Sequence, residues 1–163
     1  MKIYLQNPEK TEIVVFDNEN QIGASFDEWQ VLTQDEANNY ELSQAKLDKI
    51  AQLNKNRSDY CLKPILYDGN YYATTSNAQI AITYYIASLI DDATALYPNY
   101  PDGDNILLTR QDFINIASLI EDKEMSSRNL RKTRTNEINA IEITTEVTYE
   151  QAMEALNNID ITF

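Results

Sequence analysis

Hydrophobic and polar positions follow the same order twice along this chain. In both places an Asp-Gly pair lies between short β-type runs, and a capped apolar helix pattern follows. Residues 64–90 contain Asp68-Gly69, and residues 100–120 contain Asp102-Gly103. Glycine readily takes the positive φ that tight hairpin turns require. The pattern therefore predicts two hairpins, each leading into a helix.

The helix predicted after the first turn is the most apolar segment of the chain. Residues 80–90 are apolar on most of the helical circumference, which predicts a central core helix ending at Asp91-Asp92 or slightly beyond. Ser76 is the predicted N-cap, and the Gln79 side chain is placed to reach back to the Ser76 amide.

The helix predicted after the second turn begins with a cap at Thr109. Apolar residues at positions 113, 116, 117 and 120 follow the i, i+3, i+4, i+7 spacing of an amphipathic helix. A shorter helix is predicted after Thr148, whose spacing to Gln151 has the form of a capping box. The last residues, 159–163, alternate like a strand or an extended docking segment.

The N-terminal third has a different pattern. Residues 2–6 and 12–16 are β-type runs, and Thr33 to Glu36 has the form of a capping box that opens a polar helix to about residue 57. A helix with so few apolar positions either bridges two modules or joins a partner helix in an oligomer. The predicted division is a β module at 1–32, a connecting helix at 33–57, and an α+β domain of short hairpins and three helices at 58–163.

Composition supports a folded chain and limits its partners. The 163 residues are 43% hydrophobic and carry 13 basic against 26 acidic side chains, a net charge of −13. Such a charge repels phosphate backbones and anionic membrane surfaces, so neither nucleic acid nor membrane is an expected partner. The acidity fits solubility, or a protein that imitates the charge of DNA. The first residues show no signal peptide, so a cytoplasm is the expected place of folding.

Candidate chemistry is sparse. The chain has no histidine, a lone cysteine at Cys61 that is expected to be a small core residue beside a strand, and neither a serine-hydrolase nor a P-loop motif. The Asp102–Asn105 turn lacks the alternating ligands of an EF-hand. No acid, base or metal-ligand residue lies at a spacing from Asp91-Asp92 that is characteristic of a site. We therefore expect no catalytic residues, no metal, no cofactor and no enzymatic activity.

Aromatic residues supply the candidate binding positions. Tyrosines crowd the hairpins and the helix between them, where most are expected to be core or half-buried. Tyr97 and Tyr100, each followed by a proline, are the best candidates for exposed recognition residues. Trp29 is expected to anchor the N-terminal strands, and Phe163 ends the tail. The predicted partner-binding residues are thus Trp29, Tyr97, Tyr100 and Phe163.

Some of these features also occur together in a known family. A hairpin with the order I-x-Tyr-x-Gly-x-x-aromatic follows Arg57, at residues 65–72, and leads into the helix of Ala78-Gln79. A second turn ends in Leu108-Thr109 before another long helix, and the stretch 141–156 closes the segment. In these features residues 53–159 resemble a domain of unknown function found in tailed-phage and prophage tail proteins. The chain departs from that pattern in its prolines at 98 and 101 and in having no histidine near the first turn.

The resemblance implies a tail-fibre- or baseplate-associated protein without enzymatic activity. On this basis we expect a structural tail component or a fibre-assembly chaperone that binds a tail-fibre or other tail polypeptide. It would work in the bacterial host cytoplasm during assembly or in the virion tail, and the resemblance favours a homotrimer. The alternative is an acidic intracellular inhibitor, similar to a DNA mimic, of a host nucleic-acid enzyme.

Overall fold

The protein has the α+β architecture that the sequence predicts. The computed structural model describes residues 2–90, 92–101 and 103–163, and in these it contains four α-helices and three small antiparallel sheets. The chain divides into two compact units: unit 1 comprises Met1–Lys49 and Asn139–Asn158, and unit 2 comprises Ile50–Ile138 and Ile159–Phe163. These bounds cut across the predicted division at residues 32 and 57. Asp91 and Asp102 lie outside the described residues.

Unit 1 is built on a three-stranded sheet with the order β2-β1-β3. Strand β1 (Ile3–Gln6) pairs antiparallel with β2 (Ile13–Phe16) and with β3 (Gln30–Val31). The first two strands confirm the predicted β-type runs. Strand β3 was not predicted, because two residues are too few to show an alternating pattern.

Helix α1 (Gln34–Leu62) starts at the predicted capping box. The Thr33 amide donates to Glu36 Oε2 at 2.8 Å, and the Glu36 amide donates to Thr33 Oγ1 at 3.3 Å. The helix continues past the predicted end at residue 57, because the first residue that disfavours helical backbone is Pro64. Cys61 therefore lies within a helix rather than beside a strand, and its side chain is only half-buried.

Helix α4 (Tyr149–Asn158) completes unit 1. Its capping box is confirmed, since the Thr148 amide donates to Gln151 Oε1 at 2.9 Å. The helix buries one side, at positions four apart, which is the spacing of a single helical face. The buried apolar residues of unit 1 come from β1, α1 and α4: Ile3, Tyr4, Leu5, Ala37, Leu42, Ala152 and Leu156.

Unit 2 contains the first predicted hairpin. Strand β4 (Ile65–Tyr67) pairs with β5 (Asn70–Tyr72), and the two-residue turn between them has φ of +47° at Asp68 and +78° at Gly69. Two successive positive φ values define a type I′ turn, whose twist matches that of paired strands. The Asp-Gly signal is therefore confirmed at the level of backbone geometry.

Helix α2 (Ser76–Ser88) starts one residue earlier than the sequence indicated. Its N-cap is Thr75, whose hydroxyl accepts the Ala78 amide, so the prediction of Ser76 as the cap is wrong. The Gln79 side chain donates to the Thr74 carbonyl at 2.9 Å instead of reaching the Ser76 amide. Thr75 and Ser76 both carry a hydroxyl that can cap a helix, and because the helix begins at Ser76, Thr75 is the cap.

The other end and the burial of α2 also differ from expectation. The helix ends at Ser88, before Asp91-Asp92, which agrees with the unfavourable placement of carboxylates at a helix C-terminus. The predicted burial on most sides is wrong: Ile82 is buried, but Ile80 and Tyr84 are 69% and 65% exposed. The hairpins and the following helix cover one side of α2, and no described element covers the other.

The second hairpin is longer than predicted. Strand β6 (Thr94–Pro98), which the sequence did not predict, pairs with β7 (Asn105–Thr109). Gly103 in the connecting loop has φ of +75°. Pro98 is the last residue of β6, an edge position where the missing N–H of proline is tolerated, so its presence did not indicate a strand.

Helix α3 (Arg110–Ala140) is the longest helix described and carries the predicted apolar stripe. Phe113, Ile116 and Ile120 are buried, and the ring of Phe113 lies 4.8 Å from Tyr85 and 5.4 Å from Tyr97. Both hairpins and α2 converge on this stripe. The resulting core of unit 2 consists of Ile65, Tyr72, Ile82, Tyr97, Leu108, Phe113, Ile116 and Ile120.

One carboxylate joins the first hairpin to the start of α3. Asp112 Oδ2 accepts the Thr109 amide at 2.8 Å and the Thr109 hydroxyl at 2.6 Å, which confirms the predicted cap. Asp112 Oδ1 accepts the Tyr67 hydroxyl at 2.7 Å. The hydroxyl of Thr109, followed by that of Tyr67, holds the pKa of Asp112 below its usual value by stabilising the charged form.

We predict that Asp112→Asn lowers the free energy of unfolding at pH 7 by about 1–3 kcal/mol, because hydrogen bonds to a charged group are lost. A carboxyl with a lowered folded-state pKa stabilises the fold above its unfolded value near 3.8 and loses that contribution as the pH falls through the folded value. Urea unfolding should therefore show the difference from wild type shrinking at pH 3. The exposed Asp122→Asn on the same helix is the control, and an equal loss there would contradict the prediction.

Candidate partner-binding surface

The four predicted binding residues are divided between the two units. Trp29 belongs to unit 1, whereas Tyr97, Tyr100 and Phe163 belong to unit 2. Trp29 is half-buried, and its ring meets that of Phe26 edge-on at 4.9 Å. The Phe26 ring in turn meets that of Phe16 in β2 edge-on at 5.1 Å, so these rings pack within the N-terminal segment.

Tyr97 is not an exposed recognition residue. It is only 6% exposed because it points inward from β6, and its hydroxyl donates a hydrogen bond to the Ala78 carbonyl at 3.4 Å. Burial raises the pKa of Tyr97. The expectation that Tyr97 is exposed is therefore wrong, because the alternation of side chains along β6 places Tyr97 in the core. Tyr100, beyond the end of the strand, is 49% exposed as predicted.

Phe163 lies against unit 2 without forming a strand. Its ring packs on that of Tyr60 in α1, with 6.0 Å between centroids. The carbonyl of Ile161 accepts a hydrogen bond from the Asn56 side chain at 3.0 Å. The segment 159–163 is thus attached to α1 by a ring contact and a hydrogen bond to its backbone.

The outward faces of the two hairpins carry large apolar side chains. In β4 and β5, Leu66 is the cross-strand partner of Tyr71, and in β6 and β7, Leu96 is the partner of Leu107. Their sequence neighbours point into the core, so these side chains point away from it. With Tyr100 they form a surface that we call the hairpin face, whose five members are each between 49% and 63% exposed.

A backbone hydrogen bond brings the two hairpins together. The Tyr100 amide, just after β6, donates to the Tyr71 carbonyl of β5 at 2.7 Å. The inward residues of both hairpins also share one core cluster. The apolar pairs therefore lie on one continuous piece of folded structure, joined where Tyr71 and Tyr100 are adjacent.

The second hairpin also offers backbone groups at its edges. The Asn99 amide donates to the Asp104 carbonyl at 2.9 Å, in register with the ladder. Hydrogen-bonded and non-hydrogen-bonded pairs alternate in an antiparallel ladder, so the Leu96–Leu107 pair is non-hydrogen-bonded and its N–H and C=O groups point outward. This sheet has two strands in the described chain, so neither edge is paired there with a third strand of a ladder.

A sequence signal for the hairpin face existed. Residues 65–67 and 106–108 are apolar at consecutive positions, and a strand with such a run presents apolar side chains on both sides. Leu66 and Leu107 stand at the middle of these runs.

Unit 1 contains a separate polar cluster around Glu41. The hydroxyl groups of Tyr4 and Tyr149 both donate to the Glu41 carboxylate, the latter at 2.6 Å, and Lys2 Nζ lies 3.9 Å from it. The hydrogen bond to Glu41 and burial raise the pKa of Tyr149 to about 12. These bonds tie β1, α1 and α4 together beside a cleft of about 510 Å³.

Comparison with known proteins adds no relative. No protein-family model, curated protein or solved structure matches this chain. Within the described ranges, no cluster of histidine, cysteine or acidic side chains could hold a metal ion. No helix among those residues has the length and apolar character needed to cross a membrane.

We predict that Tyr149 makes unit 1 sensitive to alkali. The pKa of Tyr149 is about 12 in the folded state and 10 in the unfolded state. The contribution of Tyr149 to stability is therefore complete below pH 10 and is lost as the pH rises through about 12. Between pH 8 and pH 11, wild type should lose about 1 kcal/mol more stability than Tyr149→Phe in urea unfolding. Tyr84→Phe, which changes an exposed ring, should behave like wild type. An equal alkaline loss in Tyr149→Phe and wild type would contradict this assignment.

Proposed function

We propose that this chain is a non-enzymatic binding protein of a phage or prophage tail, which docks an extended segment of a tail-fibre or other tail polypeptide on the hairpin face. The exposed hairpin face is the observation that carries the proposal. Leu66, Tyr71, Leu96 and Leu107 are large side chains held in fixed strands, so little conformational entropy is lost when a partner covers them.

An extended partner fits this surface better than a helical one. The outward backbone groups of Leu96 and Leu107 can pair with an added strand, and alternate side chains of that strand would then contact the exposed leucines. Main-chain hydrogen bonds would supply affinity, while the apolar pairs would select the register. Tail fibres are long polypeptides whose folding and attachment require such partners.

The phage context comes from the family resemblance of residues 53–159. Under it, the protein is either a structural part of the tail, near the fibre or baseplate, or a chaperone that acts in the bacterial host cytoplasm during assembly. A homotrimer would match the symmetry that fibres usually have. Mass spectrometry of purified particles separates the two roles: a fixed stoichiometry indicates a structural part, and signal in the lysate alone indicates a chaperone.

We predict that the wild-type protein co-purifies with the tail-fibre polypeptide encoded beside it, and that Leu96→Ser combined with Leu107→Ser reduces recovery at least tenfold. The polar hydroxyls remove the apolar contact but leave the strand in place. Affinity capture from co-expressing cells, followed by quantitation of both chains, measures the effect.

Two controls make this result specific. Leu47→Ser changes an equally exposed leucine on α1, in unit 1, and should leave recovery unchanged. Urea unfolding should place the double variant within about 0.5 kcal/mol of wild type per surface substitution, since neither leucine is buried. Absence of co-purification with wild type would overturn the docking proposal, and full recovery with the double variant would overturn the assigned surface.

The second candidate is an acidic inhibitor of a host nucleic-acid enzyme. The distribution of charge favours it: unit 1 carries four basic and fourteen acidic residues, a net charge of −10, whereas unit 2 carries nine and twelve, a net charge of −3. Unit 1 thus holds most of the negative charge in less than half of the chain. Its β1–α1–α4 core would present these carboxylates on a stable scaffold.

Salt concentration discriminates the two candidates. We predict that binding of the fibre polypeptide changes less than threefold between 50 mM and 200 mM salt, because apolar contacts are not screened. Charge mimicry would instead lose affinity by orders of magnitude, as protein–phosphate binding does over that range. Isothermal titration at the two salt concentrations measures the ratio, and a steep loss would favour the inhibitor.

A further inference from the structure

The cleft beside Glu41 in unit 1 has the size of a small-molecule site. Its volume is about 510 Å³, within the range of clefts that bind such ligands. Helix α1 lines the cleft over positions 40–48 with residues three or four places apart, which lie on one helical face. Strands β1 and β2 and helix α4 supply other walls through Tyr4, Val15 and Met153. The whole cleft belongs to unit 1.

Two carboxylates line the cleft and are accessible from it. The Glu41 side chain keeps 31% of its surface exposed, although the hydroxyls of Tyr4 and Tyr149 donate to it. Asp48 is exposed, and its carboxylate makes no hydrogen bond or ion pair within the residues that the structure describes. Both carboxylates can therefore meet a charged ligand that enters from solvent.

A cation already lies next to one of the two carboxylates. Lys2 Nζ is 3.9 Å from Glu41 Oε1, and the Lys2 side chain is 61% exposed. An ion pair so exposed contributes little, so an incoming ammonium group can replace that of Lys2 at small cost. The described residues of the cleft carry two negative charges against one positive, in a unit of net charge −10. Charge therefore favours a cationic ligand over an anionic one.

The two carboxylates are held at a set distance by the helix that carries them. Glu41 and Asp48 are seven residues apart on α1, which corresponds to a rise of about 10 Å along the helix axis. Ala45 lies between them on the same face, and Val15 and Met153 add apolar lining from the other walls. The cleft thus combines apolar lining with two negative groups of known separation.

Aromatic rings surround the carboxylate of Glu41. The hydroxyls of Tyr4 and Tyr149 bind it, which fixes both rings beside it. The Tyr40 ring meets that of Tyr4 edge-on, with 6.0 Å between the centroids. Tyrosine rings attract organic cations through the negative face of the ring. An alkylammonium ion gains from these rings and from the apolar lining, and it meets walls that are already ordered.

We propose that this cleft binds a linear alkyl diamine, a dication with one ammonium group beside Glu41 and the other beside Asp48. The hydrocarbon chain between the two groups would lie along Ala45. The rise of about 10 Å matches an extended chain of roughly eight carbon atoms and exceeds the reach of a four-carbon diamine. Neither the cleft nor this ligand depends on the hairpin face, which belongs to unit 2.

The test titrates alkyl probes into the isolated full chain and follows the ¹⁵N–¹H signals of residues 40–48. The probe 1,8-diaminooctane should shift these signals saturably and bind about fivefold more tightly than octylamine, which lacks the second charge. The shorter 1,4-diaminobutane should bind no better than octylamine, and octanoate should give no saturable shift. Saturable binding of octanoate, equal binding of either other amine, or no saturation with 1,8-diaminooctane would each overturn the proposal.

A lysine side chain of a protein is another source of an ammonium group. N-acetyl-lysine methylamide represents that source in the same titration. It should bind about fivefold more weakly than 1,8-diaminooctane, because it carries one positive charge and reaches one carboxylate. Tighter binding of the lysine probe would overturn the diamine assignment and indicate a protein ligand.

Variants at exposed positions tie the response to the two carboxylates. Asp48→Asn should reduce the advantage of 1,8-diaminooctane over octylamine to less than twofold and leave octylamine binding unchanged. Asp35→Asn removes an equal charge from the start of α1, outside the cleft, and should leave both affinities unchanged. Lys2→Gln removes the competing ammonium group and should strengthen binding of both amines about twofold to fivefold.

These exposed substitutions should leave the fold intact, so each result bears on binding. An unchanged advantage of the diamine in Asp48→Asn would overturn the second anchor. A loss in Asp35→Asn equal to that in Asp48→Asn would reduce the effect to general charge attraction and would also overturn the proposal. Weaker amine binding in Lys2→Gln would contradict the place assigned to the first ammonium group.

Discussion

Asp112 is the residue on which the arrangement of unit 2 depends. Its two carboxylate oxygens bind different elements, one the start of α3 through Thr109 and the other the first hairpin through Tyr67. The second hairpin leads directly into Thr109, so its end is placed by the same group. One charged side chain thereby fixes both hairpins relative to the α3 stripe, and the direction in which their outer faces point follows from it.

The aromatic core explains why those outer faces remain uncovered. Tyr72, Tyr97 and Phe113 fill the space between the hairpins and α3, and the inward leucine and isoleucine positions complete it. Only one face of a two-stranded sheet can pack against such a core. A second apolar side on each hairpin has no structural use within unit 2, which is why we assign it to a partner rather than to stability.

Local signals in the sequence determined most of the fold. The capping boxes at Thr33, Thr109 and Thr148 and the Asp68-Gly69 turn involve residues within four positions of each other, so their geometry could be predicted without tertiary knowledge. The errors concern choices that tertiary packing makes. The inward direction of Tyr97 depends on how β6 pairs with β7, and no local pattern in residues 92–98 contains that information.

The exposed residues of the hairpins illustrate the same limit. The sequence predicts Tyr97 to be exposed, whereas Tyr97 is a core residue and the exposed pair next to it is Leu96 and Leu107. Successive side chains of a strand point to opposite faces, and this alternation decides which of them are exposed. A one-residue error in the register therefore exchanges the exposed and the buried residues. Once it is known which face of a strand points inward, consecutive apolar residues indicate an exposed apolar side chain, because only one of each adjacent pair can point into the core. The remaining member then belongs to the exposed apolar surface, as Leu66, Leu96 and Leu107 do.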